Sequence, residues 1–306
     1  MKQKENIIVV GSANTDIVIG VERFPKPGET LAGHGFLTNR GGKGANQAMA
    51  AARLGGSVAF VGKVGNDDYG RQTIEALNDE GIDTRYMLTT DETHSGVAVI
   101  TIDGHGENSI IVDGGANMQL SAADIEAAEE VFRDAAIVLL QLETPVDALT
   151  AAARLAHRHG AYVVLNPAPA PKSPLPEALL SHVDLLIPNQ TEAELFCGYA
   201  VDSMDTAAKA ISDLREKGIR QTIITMGGQG AVVGIEAEHV AAYPTTVVDT
   251  TAAGDTFCGA LCSALVRGSS LKEAADFACR AASVTVNRMG AQQAMPRLEE
   301  IEAMSL

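Results

Sequence analysis

The sequence predicts an α/β fold: a mostly parallel central sheet with helices on both faces, plus a small β-sheet lid. Three observations predict it. From Ser121 onward, short apolar runs alternate with stretches of helical periodicity. The strand candidates are continuous apolar runs, such as Ile7-Ile8-Val9-Val10, as expected of strands covered on both faces. Two strand-rich patches, near 15–38 and 96–112, break the alternation and fit a separate sheet laid over the edge of the first. The layout is Rossmann-like. Without an internal repeat or a low-complexity linker, residues 1–306 read as one domain with the lid strands inserted.

The elements follow in order. Ile7 to Val10 is a strand ending at Gly11-Ser12. Asp16 to Val21 is a second, running into the turn cluster Pro25-Lys26-Pro27-Gly28. Residues 29–40 are extended. Gly41-Gly42-Lys43-Gly44 opens a helix, Ala45 to Leu54, that Gly55-Gly56 stops. Val58 to Val61 is a strand, and 71–80 a helix closed by Gly81. Val97 to Ile102, a Gly-bearing turn at 103–106 and Ser109 to Val112 make a hairpin. Then come strands at Ile137 to Leu142, Ala161 to Leu165, Leu185 to Ile187 and Thr222 to Met226. Helices are expected at Val146 to His159 and Thr206 to Lys217, and two more, about 255–267 and 271–287, follow Gly254.

Composition narrows the function classes. The chain is 46% hydrophobic, enough for a sizeable core, yet no run approaches the roughly 18 apolar residues of a membrane span. Met1 to Asn6 is short and polar, with no apolar signal core, so the expected location is the cytoplasm. A net charge of −16 argues against nucleic acid as a partner. The same field repels polyphosphates, so backbone amides, a lysine and metal ions would have to hold one locally. Cys197, Cys258, Cys262 and Cys279 form no C-x-x-C pair and read as small buried hydrophobes. The histidines show no metal-ligand spacing; His157 and His159 stand at a helix C-terminus, where the dipole favours a cation.

Ligands of open α/β sheets bind beyond the carboxyl ends of the strands. There stand Asn14, Asp16, Gln141, Glu143, Asn166, Asn189 and Gly227-Gly228, a polar set suited to a polyhydroxylated ligand. The strongest motif is Asp249-Thr250-Thr251-Ala252-Ala253-Gly254-Asp255-Thr256-Phe257. Its small residues let phosphate oxygens approach backbone N–H groups at a helix start. Asp255 would lie beside a transferring phosphoryl group and take the proton of an attacking hydroxyl. A lone Gly-Asp at this place is more often a plain N-cap, but the small residues before it favour the base. Gly41-Gly42-Lys43-Gly44-Ala45-Asn46 lacks the P-loop spacing, and no G-x-G-x-x-G follows the first strand. Lys43 and Asn46 could offer donors to sugar oxygens, or the glycines could form only a flexible turn. Asn189-Gln190-Thr191-Glu192 is a capping box, and the same pair could order water around a phosphate-bound Mg²⁺.

Together these motifs resemble the PfkB-type carbohydrate kinase family over essentially the whole chain. Gly41 to Ala48, continuing to Arg53-Leu54-Gly55, is similar to one family signature and Asp249 to Asp255 to another. Gly62-Lys63-Val64-Gly65-Asn66-Asp67 and Asn189 to Glu192 are similar to two further family loops. Asn14-Thr15-Asp16, Lys43, Glu143, Asn166-Pro167-Ala168-Pro169 and Gly290-Ala291-Gln292 resemble the branch that phosphorylates ribose. The resemblance implies ATP-dependent conversion of D-ribose to D-ribose 5-phosphate. Asp255 would be the base and Ala252, Ala253 and Gly254 the anion hole. Asn14, Thr15, Asp16, Gly42, Lys43, Gly44, Ala45, Asn46 and Glu143 would hold the sugar. Asn189, Thr225, Met226, Gly227, Gly228, Gln229, Gly230, Gly254, Asp255 and Cys279 would line the ATP site, with Asn189 and Glu192 serving Mg²⁺. A monovalent cation, usually K⁺, would sit at Asp249, Thr251, Thr285, Arg288, Gly290 and Ala294, where some relatives carry Ser in place of Ala294. The lid would form a homodimer interface. Rival readings are a sister kinase for deoxyribose, fructose or a nucleoside, an idle sugar-binding regulator, and a nicotinamide dehydrogenase.

Overall fold

The strands of the computed structural model, which describes residues 6–304, fall into two sheets. Met1 to Glu5, most of the expected polar N-terminus, lie outside the described residues. The strands are β1 (Asn6–Val10), β2 (Asn14–Gly20), β3 (His34–Gly41), β4 (Ser57–Gly65), β5 (Asp83–Thr90), β6 (Gly96–Ile102), β7 (Asn108–Asp113), β8 (Ala135–Leu140), β9 (Tyr162–Leu165), β10 (Leu185–Leu186), β11 (Gln221–Thr225), β12 (Ala231–Val233) and β13 (Glu238–Val240).

The 9-stranded sheet has the order β13-β12-β11-β10-β9-β8-β1-β4-β5. From β11 to β5 all neighbours are parallel, while β12 and β13 return antiparallel. Alternation along β1 divides the core. Ile7 and Val9 pack with helices Lys43–Arg53 and Ala253–Val266, and Ile8 and Val10 pack on the other face with helix Val146–Arg158. All four are fully buried, each burial contributing about 1.5–3 kcal/mol.

The two strand-rich patches pair as expected into a 4-stranded sheet, β3-β2-β6-β7. Within it β2 runs parallel to β6, and the outer pairings are antiparallel. Apolar side chains are exposed on both of its faces: Phe36, Ile110, Ile111 and Val112 are all exposed, and along β7 Ile111 points opposite to Ile110 and Val112.

Differences from the sequence reading have local causes. β5 reads Asp-Thr-Arg-Tyr-Met-Leu-Thr-Thr, mixed because it is an edge strand with only Met87 fully inside. β12 and β13 are too short to show periodicity. The helix expected at 71–80 spans Asp68–Asp79, because the Asp67 side chain accepts the Gly70 N–H and caps it early. The helix expected from 255 begins at Ala253. No helix among the described residues is long and apolar enough to cross a membrane.

Candidate active site

The chain leaves β1 for β4 and β5 on one side and returns to β8 on the other, so the strand order reverses beside β1. A crevice opens there, beyond the strand ends. The turn after β3 is pressed onto the end of β1. Gly42 has φ 87, and a Cβ on it would lie 2.7 Å from the Asn14 backbone nitrogen. This contact delivers the helix Lys43–Arg53 into the crevice, where the Ala45 N–H donates to Ser12 O at 2.8 Å. The second helix, Ala253–Val266, crosses the first at Gly259. A Cβ there would lie 2.5 Å from the Gln47 carbonyl oxygen. Two motifs 200 residues apart in sequence thereby share one place.

Asp255 is not a cap. Ala252 is the N-cap, in left-handed conformation at φ 60 and without a side-chain bond. A non-glycine residue there costs about 1–2 kcal/mol. The Asp255 carboxylate instead accepts from Asn46 Nδ2 at Oδ2 and from Gln47 Nε2 at Oδ1, both at 3.0 Å. Asn46 was expected to serve the sugar; its amide is also engaged by Gln292 Nε2 at 3.1 Å. The Ala253 N–H donates to Thr250 O at 3.3 Å. That leaves Gly254 and Asp255 as first-turn donors without a partner inside the helix.

Around Asp255 lies a cavity of about 220 Å³. It brings together the expected Lys43, Asn166, Asn189, Glu192, Thr225, Ala252, Ala253 and Gly254, and adds Ala168, Ile187, Thr250 and Cys258. The capping box is real: Asn189 N–H donates to Glu192 Oε2 at 2.9 Å, and Glu192 N–H to Asn189 Oδ1 at 2.8 Å. Burial pushes the Glu192 carboxyl up, against the Asn189 N–H and Lys43, which hold it down. Burial opposes the charge on Lys43, but Asp255, Glu143 and Glu192 outweigh it and raise its ammonium above the ordinary range.

Toward the lid the site is acidic. Glu143 Oε2 accepts Ser12 Oγ at 2.5 Å and the Lys43 N–H at 2.9 Å. Burial, then Glu143, then Asp255 push the Asp16 carboxyl up to about 7. Asp16 can therefore hold a proton near neutrality and both donate to and accept from a hydroxyl. Asn14 Oδ1 accepts from the buried Asn117 Nδ2 at 2.8 Å, which fixes the amide's orientation. Asn117 also clamps Ala13, accepting its N–H at 2.9 Å and donating to its carbonyl at 3.2 Å.

Several expected residues stand apart. Thr15, between Asn14 and Asp16 on β2, lines a different cavity of about 330 Å³ with Asn39, Arg53 and Gln72, because successive strand residues face opposite sides. Of 225–230 only Thr225 lines the Asp255 cavity; Met226 is buried, and Gly227–Gln229 form a 3-10 turn. Cys279 sits in the core between helices, and burial pushes its thiol up to about 12. In the expected cation set, Asp249 Oδ1 accepts the N–H and hydroxyl of Thr251, and Oδ2 accepts the Gly290 N–H at 2.8 Å. The Arg288 guanidinium pairs with Glu300, so only its main chain could serve a cation. Thr285 Oγ1 donates to Thr256 Oγ1 at 3.0 Å, and Ala294 is buried.

Ser12, Gln47 and Asn117 escaped the sequence reading. A fully buried Gln in an alanine-rich helix was the one available signal.

Known proteins share this arrangement. The model of the pfkB family of carbohydrate kinases matches residues 4–298. The ribokinase of Haemophilus influenzae is 41% identical over 299 residues, 97% of this chain and 97% of its own. A deoxyribokinase of Salmonella typhi is 37% identical, covering 98% of this chain and 99% of its own. The structure of Arabidopsis thaliana ribokinase complexed with ribose and ATP superposes with a TM-score of 0.91 at 36% identity, covering 97% of each chain. With the two signature motifs meeting at Asp255 and the match running nearly end to end, the chain belongs to the pfkB family of carbohydrate kinases.

Proposed function

We propose that the chain transfers the γ-phosphoryl group of ATP to the primary hydroxyl of D-ribose, giving D-ribose 5-phosphate and ADP. The observation that carries this reading is the Asp255 carboxylate, held by two amides at a helix start in a cavity shared with Lys43. Asp255 takes the proton of the attacking hydroxyl as the new O–P bond forms and the bond to ADP breaks. The Gly254 and Asp255 amides and Lys43 stabilise the charge of the moving phosphoryl group. Asp16, Asn14 and Glu143 bind the sugar hydroxyls, and the lid excludes water.

Mg²⁺ would enter on the ATP phosphates. No group of three or more His, Cys, Asp or Glu among the described residues could hold a metal ion, while Asn189 and Glu192 border the same cavity and can order its water. A monovalent cation fits the loop that Asp249 ties to Gly290, through the Asp249 carboxylate and main-chain oxygens. The exposed apolar side chains of the lid support a homodimer, and dependence on ATP supports a cytoplasmic location for what we read as one domain.

The test is ADP release measured over pentoses, hexoses and nucleosides. Ribose should give the highest kcat/KM; preference for deoxyribose would shift the reading to the activity named for the Salmonella relative. Asp255→Asn should keep sugar binding and lose roughly 10²- to 10⁴-fold in kcat. Near-normal turnover in that variant overturns the role of Asp255.

A further inference from the structure

We propose that Gln47 is a positioning residue for the phosphoryl-transfer step, holding the Asp255 carboxylate aimed through a buried chain of side-chain amides. The inference rests on the reading of Asp255 as the base.

The chain is Gln141, Gln47 and Asn166, contributed by the end of β8, the helix Lys43–Arg53 and the end of β9. Gln47 and Gln141 are fully buried, and Asn166 is 8% exposed. Gln141 Nε2 donates to Gln47 Oε1 at 2.7 Å. Gln47 Nε2 donates both to Asn166 Oδ1 at 2.9 Å and to Asp255 Oδ1 at 3.0 Å. Asn166 Nδ2 donates to the Ile187 carbonyl at 2.8 Å.

The far end sets the polarity of the chain. A backbone carbonyl can only accept, so Asn166 must turn its NH₂ to Ile187 and its oxygen toward Gln47. Gln47 must then present its NH₂ to Asn166, and the second hydrogen of that NH₂ points at Asp255. On the other side Gln292 Nε2 donates to Asn46 Oδ1, and Asn46 Nδ2 donates to Asp255 Oδ2. Donors therefore converge on both carboxylate oxygens. Two bonds from opposite sides fix the plane of the carboxylate, leaving its remaining lone pairs for the incoming hydroxyl. Gln47 touches no substrate in this scheme; it acts through Asp255. The helix crossing at Gly259 sets the distance, since any larger residue there would push the Gln47 backbone away.

The test is kcat, KM for ribose and the pH profile of kcat in the full chain, with Asp255→Asn alongside. Gln47→Met keeps the length of the side chain and removes the donor. It should lower kcat by roughly 10- to 100-fold, the cost of a misplaced reacting group, with KM for ribose within about 3-fold. Gln47→Glu keeps the shape. Two carboxylates facing each other share one proton, and a protonated Glu at 47 donates to Asp255 as the amide did. This variant should outperform Gln47→Met at low pH and lose activity along a new alkaline limb. A kcat for Gln47→Met within 3-fold of the parent, with Asp255→Asn inactive, overturns the proposal while sparing the base. An active Asp255→Asn variant overturns the base itself. Should Gln47→Met fail to fold, Gln47→Glu decides alone, and a pH profile parallel to the parent's overturns the proposal.

Discussion

In the main sheet, Ile7 to Val10 of β1 are fully buried, whereas in the lid every residue of β7 from Asn108 to Asp113 is exposed. The two sheets also treat their acids differently. Asp255, on a helix packed against the main sheet, has a hydrogen-bond donor on each oxygen. Asp16, on lid strand β2, is desolvated by burial, crowded by Glu143 and Asp255, and pushed up to about 7. The main sheet supplies a rigid frame on which a reacting group can be aimed. The lid exposes apolar side chains on both of its faces and carries one perturbed acid.

The contrast can be broken most directly in the core. Leu139 is fully buried near the end of β8, and Leu139→Ala should cost about 2–5 kcal/mol in urea unfolding. A cost below 1 kcal/mol would contradict a rigid frame. Next comes the helix crossing. Gly259→Val places new atoms against the Gln47 carbonyl and should displace Asn46 and Gln47 from Asp255. Turnover should fall by roughly 10²-fold, a loss typical of a misplacement of about 1 Å, while ribose affinity measured by calorimetry changes far less.

A smaller effect sharpens the electrostatic half of the comparison. The Asp16 carboxyl titrates higher in the folded chain, about 7, than its ordinary 3.8. Its stabilising proton is thus fully bound below the ordinary value, and the benefit is lost as pH rises through about 7. Asp16→Asn removes this dependence. In sugar-free protein the variant's Tm advantage should be larger by a few degrees at about pH 8 than at about pH 5. An advantage that does not grow with pH would mean Asp16 is not strained. The smallest effect concerns the lid surface. Ile111 is 70% exposed, so Ile111→Ser should change the stability of the monomer by no more than about 0.5 kcal/mol. Sedimentation should nonetheless register the change if the face pairs with a second copy. Unchanged association would reassign that face.

Much of this was legible beforehand because it depends on neighbours in sequence. Apolar runs gave β1 and β9 to within a residue and β8 to within two, and the helix expected at about 271–287 spans Leu271–Thr285, where Ser270 and Glu273 form a reciprocal pair. The alternating hairpin at β6 and β7 was equally plain. Edge strand β5 was missed because an edge need not be apolar on both sides. That Thr15 lines a different cavity was not legible, because motif membership says nothing of which strand face a residue takes.

By itself the sequence determined the layered architecture, the separate lid and the candidacy of Asp255, since hydrophobic period and turn chemistry are local properties. Only the tertiary structure decided that Asp255 is a held carboxylate rather than a cap. The same packing brought Gln47 to it across 208 positions, and burial beside Glu143 and Asp255 raised Asp16. Hydrogen-bond partners and charge environments are set by groups that meet in space, and their distance along the chain carries no record of that meeting.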